Sequence, residues 1–389
     1  MPKTVVMACV HRFDSPLQIA AQYLARQFVR HGWRVVYITA PVTPLHVGNE
    51  LSRDLLARYR TALHWCGQHH LNAQLTEVIP FSLIAPAGRP LFRSKAVTNL
   101  WARTILPSLR TRLAGIDALS ADLLYIDNIW LWPAVDIVQT MTSVFRIMDP
   151  HEQFPGWKEH ARTQAAKVAQ GTDGTLYSHP RLAEYANSLG APRVQYHPNG
   201  VDLELFAGQH PRHPMFSRWS EKVAVYVGAV DYRLDFDLTA RVAQLLPDWD
   251  FVLAGPVTAR PKDRLPPNVH FPGPIPRSEL PSFLKSATAG FLPYDIYRQR
   301  HRLQMVRPLK LLECLAAGLP VVCAHWQEVE KMGSPALLYR DSRECAAALR
   351  SCAENPVPPE VCRRFAAKRN WPAAFRELLD FAGLSHSGS

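Results

Sequence analysis

The segment from Val306 to Ala324 reads VRPLKLLECLAAGLPVVCA and predicts a helix followed by a buried strand. Its leucines recur at the spacing of one helix face, and the apolar run after the glycine is typical of a strand covered on both sides. Pro308 suits the first position of the helix, where its missing N–H costs nothing, and Gly318 suits the left-handed position just past the end. This order is a unit of an α/β fold.

The same alternation extends in both directions along the chain. At the start we expect a strand at Thr4–Val10, a helix at Leu17–His31 and a second strand at Trp33–Thr39. The turn-rich segment HPNGVDLELF, near residue 200, separates two Rossmann-like halves, each with a parallel sheet. Further strands are predicted at Leu123–Asp127, Ser143–Asp149, Gly174–Ser178, Val223–Val227, Phe251–Ala254, Val269–Phe271, Ala289–Leu292, Leu319–Cys323 and Ala336–Tyr339.

Length and composition exclude several classes of protein. The chain has 389 residues, 47% of them hydrophobic and 20% charged, which indicates globular domains and excludes a disordered or collagen-like protein. The sequence lacks a run of about 18 apolar residues that would span a membrane. It begins with a strand-like run instead of a signal peptide, and its seven cysteines form no C-x-x-C pair. We therefore expect a cytoplasmic protein without structural zinc or disulfides.

Positive charge is concentrated in the first part of the chain. The net charge is +11, and residues 1–120 hold 14 Lys and Arg against 5 Asp and Glu. Residues 89–112, RPLFRSKAVTNLWARTILPSLRTR, contain six basic residues and no acidic residue, with apolar side chains between them. This amphipathic pattern predicts contact of Arg93, Lys95, Trp101 and Arg103 with an anionic membrane surface or a diphosphate-bearing lipid. The alternative is a solvated helix packed on the core.

The helix after Pro308 carries residues suited to bind a phosphate. Lys310 and Glu313 are three residues apart and share one face. A helix N-terminus with Arg307 and Lys310 beside it can hold a diphosphate without a metal ion, and Glu313 can accept hydrogen bonds from ribose hydroxyls. The alternative is an ordinary Lys–Glu pair on a surface helix.

PLKLLECLAAGLPVV resembles the donor-site helix of GT-B glycosyltransferases. Four other segments are similar to that family in the same order: HPNGVDLELF, VAVYVGAVD, NVHFPGPIPRSEL with ATAGFLPYD, and RNWPAAFRELL. The resemblance covers about residues 195–380. It implies an α/β fold of GT-B type, with two Rossmann-like domains whose parallel sheets face a central cleft. The implied domains are residues 1–200 for the acceptor, 201–370 for the nucleotide sugar, and a C-terminal segment, 371–389, that packs back towards the N-terminal domain.

The resemblance also implies roles for single residues of the donor domain. Lys310, Arg307 and the N-terminus of their helix would hold the donor diphosphate, and Glu313 would meet the ribose. Pro274 and Ile275 would border the nucleobase, and Tyr294 would line the donor pocket. Gly228 and Val230 would form a tight loop under the diphosphate or the sugar.

The N-terminal half resembles the glucuronosyltransferase of xanthan synthesis, in which a strand ending in Arg-x-x-Asp carries the catalytic base. VFRIMD places Arg146 and Asp149 in that relation. An Asp at the carboxyl end of a parallel strand lies at the edge where α/β sheets bind ligands, and the other interpretation is a cap of the following helix. The alternative bases are His151, Glu152, His160, His11 and Asp14.

Two further features bear on mechanism. Position 305 is Met where many retaining GT-B enzymes have a Glu, which favours inversion. Asp235 and Asp237 could be a metal-binding D-x-D motif, but two residues within a helix start point about 200° apart, so we expect no metal there.

The resemblance thus implies transfer of a sugar from a nucleotide sugar, with UDP or GDP as the nucleotide, to a hydroxyl of a lipid-linked or growing saccharide. The setting would be bacterial polysaccharide assembly at the inner face of the cytoplasmic membrane, without a cofactor or nucleic acid. A nucleotide-sugar epimerase and a non-catalytic membrane-surface or anion-binding protein are the alternatives.

Overall fold

The structure is a computed structural model and describes residues 2–15, 18–44, 53–63, 68–86, 92, 94–153, 159–259, 264–304 and 307–385. The chain divides into two compact units. The first comprises Met1–Pro198 together with Ala374–Ser389, and the second comprises Asn199–Ala373. Each unit is built on a β-sheet with helices against it.

The sheet of the first unit is parallel apart from one edge pair. Its described strands are β1 (Thr4–Ala8), β2 (Arg34–Ile38), β3 (Gln68–His70), β4 (Leu75–Val78), β5 (Ser120–Ile126), β6 (Gln139–Ile147), β7 (Gly174–Tyr177) and β8 (Val194–Tyr196). They pair in the order β3-β4-β2-β1-β5-β6-β7-β8, and β3 runs antiparallel to β4. The strand order reverses direction between β1 and β5, which makes this the topological switch point.

Helices connect these strands in the expected α/β manner. The described helices of this part of the chain are α1 (Ala20–Arg30), α2 (Arg53–Leu63), α3 (Lys95–Leu100), α4 (Leu109–Ala114), α5 (Pro133–Ile137), α6 (Glu159–Gln170) and α7 (Ala183–Ser188). The predicted end of α1 is confirmed, because Gly32 follows it with φ of +78°.

The last helix of the chain completes the core of the first unit. The Phe375 ring packs edge-on against Phe28 of α1, with centroids 4.8 Å apart. The Phe381 ring lies on Gly174 of β7, where an added methyl carbon would approach it to 2.5 Å. Arg193 covers the other end of this contact, with its guanidinium 3.9 Å from the Phe381 centroid. The apolar face of the C-terminal helix is therefore buried on the sheet that begins the chain.

The second unit has a parallel sheet of six described strands. They are β9 (Lys222–Val227), β10 (Trp249–Ala254), β11 (Val269–His270), β12 (Ala289–Leu292), β13 (Val321–Ala324) and β14 (Leu337–Tyr339). The order is β11-β10-β9-β12-β13-β14, so the switch point lies between β9 and β12. All six predicted strands are confirmed within one or two residues at their ends.

The helices of this region, as far as the structure describes them, are α8 (Leu203–Phe206), α9 (Phe236–Leu245), α10 (Leu280–Lys285), α11 (Arg300–Leu303), α12 (Leu309–Ala316), α13 (Gln327–Glu330), α14 (Ser342–Glu354), α15 (Pro359–Ala367) and α16 (Trp371–Phe381). In α12, Pro308 is the N-cap and not the first helical residue. Gly318 has φ of +80°, as predicted.

Candidate functional site

The loop that follows β9 lies at the switch point of the second sheet, and hydrogen bonds hold it from both sides. The amide of Val230 donates to the carbonyl of Pro256, at 2.9 Å, on the side of β10. The amide of Asp235 donates to the carbonyl of Pro293, at 2.7 Å, on the side of β12. The loop is therefore held in place before any ligand arrives.

Lys310 lies directly over Gly228, the residue at which this loop begins. A methyl carbon on Gly228 would stand 1.9 Å from Cε of Lys310, so another residue at 228 would displace the lysine. Gly228 has φ of +152°, and Gly255 approaches it so closely that a methyl carbon on Gly255 would lie 1.8 Å from the Gly228 carbonyl oxygen. The two glycines thus let Lys310 reach the switch point.

The Lys310 ammonium is held in a partly desolvated position. Its Nζ lies 5.7 Å from the centroid of the Tyr226 ring, a cation–π contact. Within the described part of the chain, no ion pair neutralises it. Burial lowers the pKa of Lys310, and the charge of Arg233 lowers it further, while Glu313 and Asp231 oppose the change. A cation in this position at a helix N-terminus is suited to a phosphate.

Arg233, which our sequence analysis did not select, is a second cation beside Lys310. Its Nε donates to Oδ1 of Asp231 at 2.9 Å and its Nη2 donates to Oδ2 at 2.6 Å. The guanidinium stays partly exposed, because its side chain keeps 40% of its accessible surface. A loop sequence of this kind has no periodicity that would have indicated the pair.

Tyr294 supports the site from beneath. Its ring packs edge-on against Tyr226, with centroids 6.4 Å apart, and against Trp326, with centroids 5.6 Å apart. Only 5% of Tyr294 is exposed, and burial raises the pKa of its hydroxyl. Little of the ring is exposed, and the predicted role of Tyr294 in lining the donor pocket stays a prediction.

The other residues proposed for the donor site lie on two segments of the second unit. Glu313 is half-buried and stands one turn after Lys310 on α12, and half-buried Arg307 precedes the N-cap of that helix. Pro274 is exposed and Ile275 half-buried in the segment after β11. The structure does not test the predicted roles of these four residues, which stay predictions.

The Asp235-Phe236-Asp237 segment begins α9 as expected. The carboxylate of Asp235 is the N-cap and accepts a hydrogen bond from the Leu238 amide at 2.8 Å. Across the described ranges, no group of three or more His, Cys, Asp or Glu has a metal-binding arrangement.

Asp149, the predicted base, lies two residues beyond β6, since the strand ends at Ile147 and not at Asp149. The side chain is half-buried. Among the alternatives, burial lowers the pKa of His151 to about 4, and the pKa of His11 is lowered by burial and by Arg58. Glu152 is engaged by Tyr185, whose hydroxyl donates to Oε2 at 2.8 Å.

Arg146, which precedes Asp149 in the motif, is fully buried and serves the fold. Its Nε donates to Nδ1 of His197 at 3.0 Å, and its Nη2 donates to the His197 carbonyl at 3.2 Å. The ring proton of His197 is therefore on Nε2, from which it is donated to the Ala374 carbonyl at 2.7 Å. Burial lowers the pKa of His197 to about 3, so the ring stays neutral.

Asp127, which our sequence analysis included only as the end of a strand, stands at the switch point of the first sheet. It is 1% exposed, and its Oδ1 accepts a hydrogen bond from the Val10 amide at 3.2 Å. Oδ2 is buried and has no hydrogen-bond partner among the residues that the structure describes. Burial raises the pKa of Asp127 to about 7, although the charge of Arg146 opposes the rise.

The described part of the basic segment 89–112 differs from the prediction at Trp101. Trp101 is fully buried, so the prediction that its ring faces lipid is wrong: the ring packs inward as part of the core. Arg103 is exposed, while Arg93 and the side chain of Lys95 lie outside the described residues.

Instead of Trp101, leucines face outward in this region. Leu83 is 50% exposed and Leu106 is 50% exposed. Each follows a residue of an isolated antiparallel bridge between Ser82 and Ile105, and both bridge residues are buried. Among the described helices, none has the length and apolar character needed to cross a membrane.

Comparisons with known proteins show which families and structures this chain is similar to. Residues 237–369 match the model of a family described as glycosyl transferase-like. TuaH of Bacillus subtilis, provisionally named a teichuronic acid biosynthesis glycosyltransferase, is 30% identical over 236 residues, which cover 56% of this chain and 58% of TuaH. The chain thus matches little more than half of the length of this relative.

Solved structures match nearly the whole chain. Sucrose-phosphate synthase from Thermosynechococcus elongatus superposes with a TM-score of 0.67 at 15% identity, covering 97% of this chain and 98% of that one. HepE from Anabaena, solved with UDP and glucose, gives a TM-score of 0.62 at 13% identity, covering 98% and 99% of the two chains.

The chain therefore has the GT-B fold, as its sequence resemblance implied, and residues 237–369 are similar to the glycosyl transferase-like family. The similarity to bacterial polysaccharide glycosyltransferases is confirmed. The closer likeness to the xanthan-type enzyme is not supported by these comparisons.

The raised pKa of Asp127 predicts a pH-dependent stability. Its value of about 7 lies above the ordinary 3.8, so between these pH values the folded protein keeps a proton that the unfolded chain releases. Wild-type stability therefore falls as the pH rises through this range. Asp127→Asn removes this titration. The Tm of the variant minus the Tm of the wild type should therefore be a few degrees larger at about pH 8 than at about pH 5. An equal Tm difference at both pH values would contradict the assignment.

Proposed function

We propose that this protein is a glycosyltransferase that moves a sugar from a nucleoside diphosphate to a hydroxyl of a saccharide acceptor. The observation that carries the proposal is the position of the Lys310 side chain directly over Gly228, at the switch point of the second sheet and beside the N-terminus of α12. This helix lies within the segment that matches the glycosyl transferase-like family.

On the donor side, Lys310 and the α12 N-terminus bind the diphosphate, with Arg307 and Arg233 as further cations. Gly228 and Val230 let the backbone approach the diphosphate, and Glu313 accepts hydrogen bonds from the ribose. Pro274 and Ile275 border the nucleobase. The solved structures of HepE contain UDP, so uridine nucleotides are the first donors to test, followed by guanosine nucleotides.

The transfer proceeds with inversion and without a metal ion. Asp149 takes the proton of the acceptor hydroxyl while its oxygen forms the bond to the anomeric carbon. The bond from that carbon to the diphosphate oxygen breaks, and Lys310 stabilises the charge that develops on the leaving diphosphate. Met305 in place of a second Glu supports inversion.

The acceptor is lipid-linked or part of a growing polysaccharide, and the protein works at the cytoplasmic face of the membrane. The naming of TuaH as a glycosyltransferase of teichuronic acid biosynthesis supports a saccharide acceptor. Exposed Leu83 and Leu106, with the exposed cation Arg103 nearby in sequence, suit an anionic lipid surface.

An epimerase is the competing enzyme class on the same fold. It would convert a nucleotide sugar without any acceptor, whereas the proposed transferase releases nucleotide in proportion to the sugar that it transfers. Product analysis with and without membrane lipid extract therefore separates the two classes. Binding of nucleotide sugar also separates both from a purely membrane-binding protein.

Lys310→Ala should weaken nucleotide binding at least tenfold, because a desolvated charge-assisted contact to phosphate is lost. The measurement is the Kd of UDP and of GDP by calorimetry, after a panel of nucleotide sugars has identified the nucleotide that stabilises the wild type. Lys222→Ala is the matched control, since Lys222 belongs to β9 but pairs with Asp248 on the surface. Unchanged affinity in the Lys310 variant would remove that residue from the donor site.

Asp149→Asn should lower turnover at least 100-fold, the usual scale for a lost acid–base group, and leave the donor Kd within about twofold. Turnover is measured as nucleotide release in the presence of membrane lipid extract. Asp117→Asn, at an exposed residue of the same unit, is the control. Near-normal turnover of the Asp149 variant would transfer the role of base to a histidine such as His151 or His11.

The double variant Leu83→Asp, Leu106→Asp should reduce sedimentation with phosphatidylglycerol vesicles at least tenfold, because two apolar contacts are replaced by charges of the same sign as the lipid. Met141→Asp changes a residue that is 76% exposed on β6 and should sediment like the wild type. If the wild type itself does not sediment with these vesicles, the membrane surface is not its partner.

A further inference from the structure

The loop Val10–Ser15 leaves β1 at the switch point of the first sheet, where open α/β sheets bind their ligands. It contains His11 and Asp14, and its shape is fixed by side chains from other elements. Glu77 of β4 is fully buried and accepts from the Phe13 amide at 2.8 Å. Gln22 of α1 donates to the Arg12 carbonyl at 2.9 Å.

Asp127 holds the start of this loop. Its carboxylate accepts the Val10 amide, and its neighbour Asn128 donates to the Cys9 carbonyl at 3.4 Å. Both residues follow β5, the strand beside β1 in the sheet. The loop is thus fixed at its first residue by the element that lies across the switch point from it.

A carboxylate is an unusual side chain at this position if its role is only to hold the Val10 amide. It is almost fully buried, and one of its oxygens lacks a hydrogen-bond partner in the described part of the chain. The charged and titratable groups that face it are Cys9 directly after β1, Tyr37 of β2, Tyr125 of β5 and Arg146 of β6. A neutral side chain would form the Val10 hydrogen bond without the desolvation of a charge.

The same pair of strands contains an ordinary anchor for comparison. At the opposite end of β5, Oδ2 of Asp122 accepts a hydrogen bond from the Thr4 amide of β1 at 2.7 Å. This carboxylate is half-buried and lies at the amino ends of the strands, away from the edge where ligands bind. Asp122 within β5 and Asp127 just after it therefore each accept a backbone amide hydrogen bond, from Thr4 of β1 and from Val10 beyond β1, at opposite ends of this strand pair.

We propose that Asp127 is a positioning residue for acceptor binding: through Val10, its carboxylate sets the position of the loop Val10–Ser15 against which the acceptor docks. The proposal rests on the proposed function, because it assumes that the first unit receives the acceptor. An ionised carboxylate accepts an amide hydrogen bond more strongly than a protonated one, so the loop is held more firmly as the pH rises from 6 to 8.

The test compares Asp127→Ala with Asp122→Ala in the full chain. Asp127→Ala should speed hydrogen–deuterium exchange of the Val10–Ser15 amides about tenfold. It should also raise the half-saturating concentration of membrane lipid extract about tenfold, with kcat and the half-saturating donor concentration within about twofold. Asp122→Ala should leave all of these values near wild type, although it lowers Tm. Equal effects of the two variants, or an unchanged loop in Asp127→Ala, would overturn the proposal.

Asp127→Asn keeps an oxygen for the Val10 amide and covers the case in which the alanine variant does not fold. In the wild type, the half-saturating concentration of extract should fall between pH 6 and pH 8, and in Asp127→Asn it should stay constant. The same pH dependence in both proteins would overturn the role of Asp127. If the wild type transfers no sugar from any nucleotide sugar, the proposed function fails, and the exchange measurement still reports on the loop alone.

Discussion

The donor site that we propose in the second unit depends on the close contact between Lys310 and Gly228. Lys310 can occupy that position only if residue 228 has no side chain, and Gly228 can lie there only if Gly255 also has none. Helix α12 must also begin at Leu309, directly after its N-cap Pro308, for the lysine to fall in its first turn. These local requirements together place an ammonium group at the edge of the sheet where β9 and β12 part.

Local sequence patterns accounted for the second sheet and for parts of the first. The six strands of the second unit are apolar runs bounded by Gly, Pro or polar turns, and such runs are recognisable without tertiary information. The edge strand β3, QHH, is short and polar and gave no signal, because an edge strand is stabilised by its pairing with β4. Trp101 was misjudged because amphipathic spacing shows that a face is apolar and not what covers it.

The residues of the candidate site likewise differ in whether a local sequence pattern predicts them. Lys310, Glu313 and Gly228 occur in motifs whose spacing is local. Asp127 acts on Val10, 117 positions away in the chain, and the bond exists only because β1 and β5 are neighbours in the sheet. No periodicity in a single sequence encodes such a pair, and the same holds for the buried link from Arg146 to His197. Residues that position other residues are therefore missed more often than residues in binding motifs.

The place of the C-terminal helix has a consequence for how the chain is made. Phe375 and Phe381 complete a core that includes residues of α1 and β7. During synthesis most of the first unit is translated early, but the residues that close its apolar surface follow only after the second unit, which lies between them in the sequence. That surface must wait, solvated or shielded by a chaperone, while the second unit is made and folds.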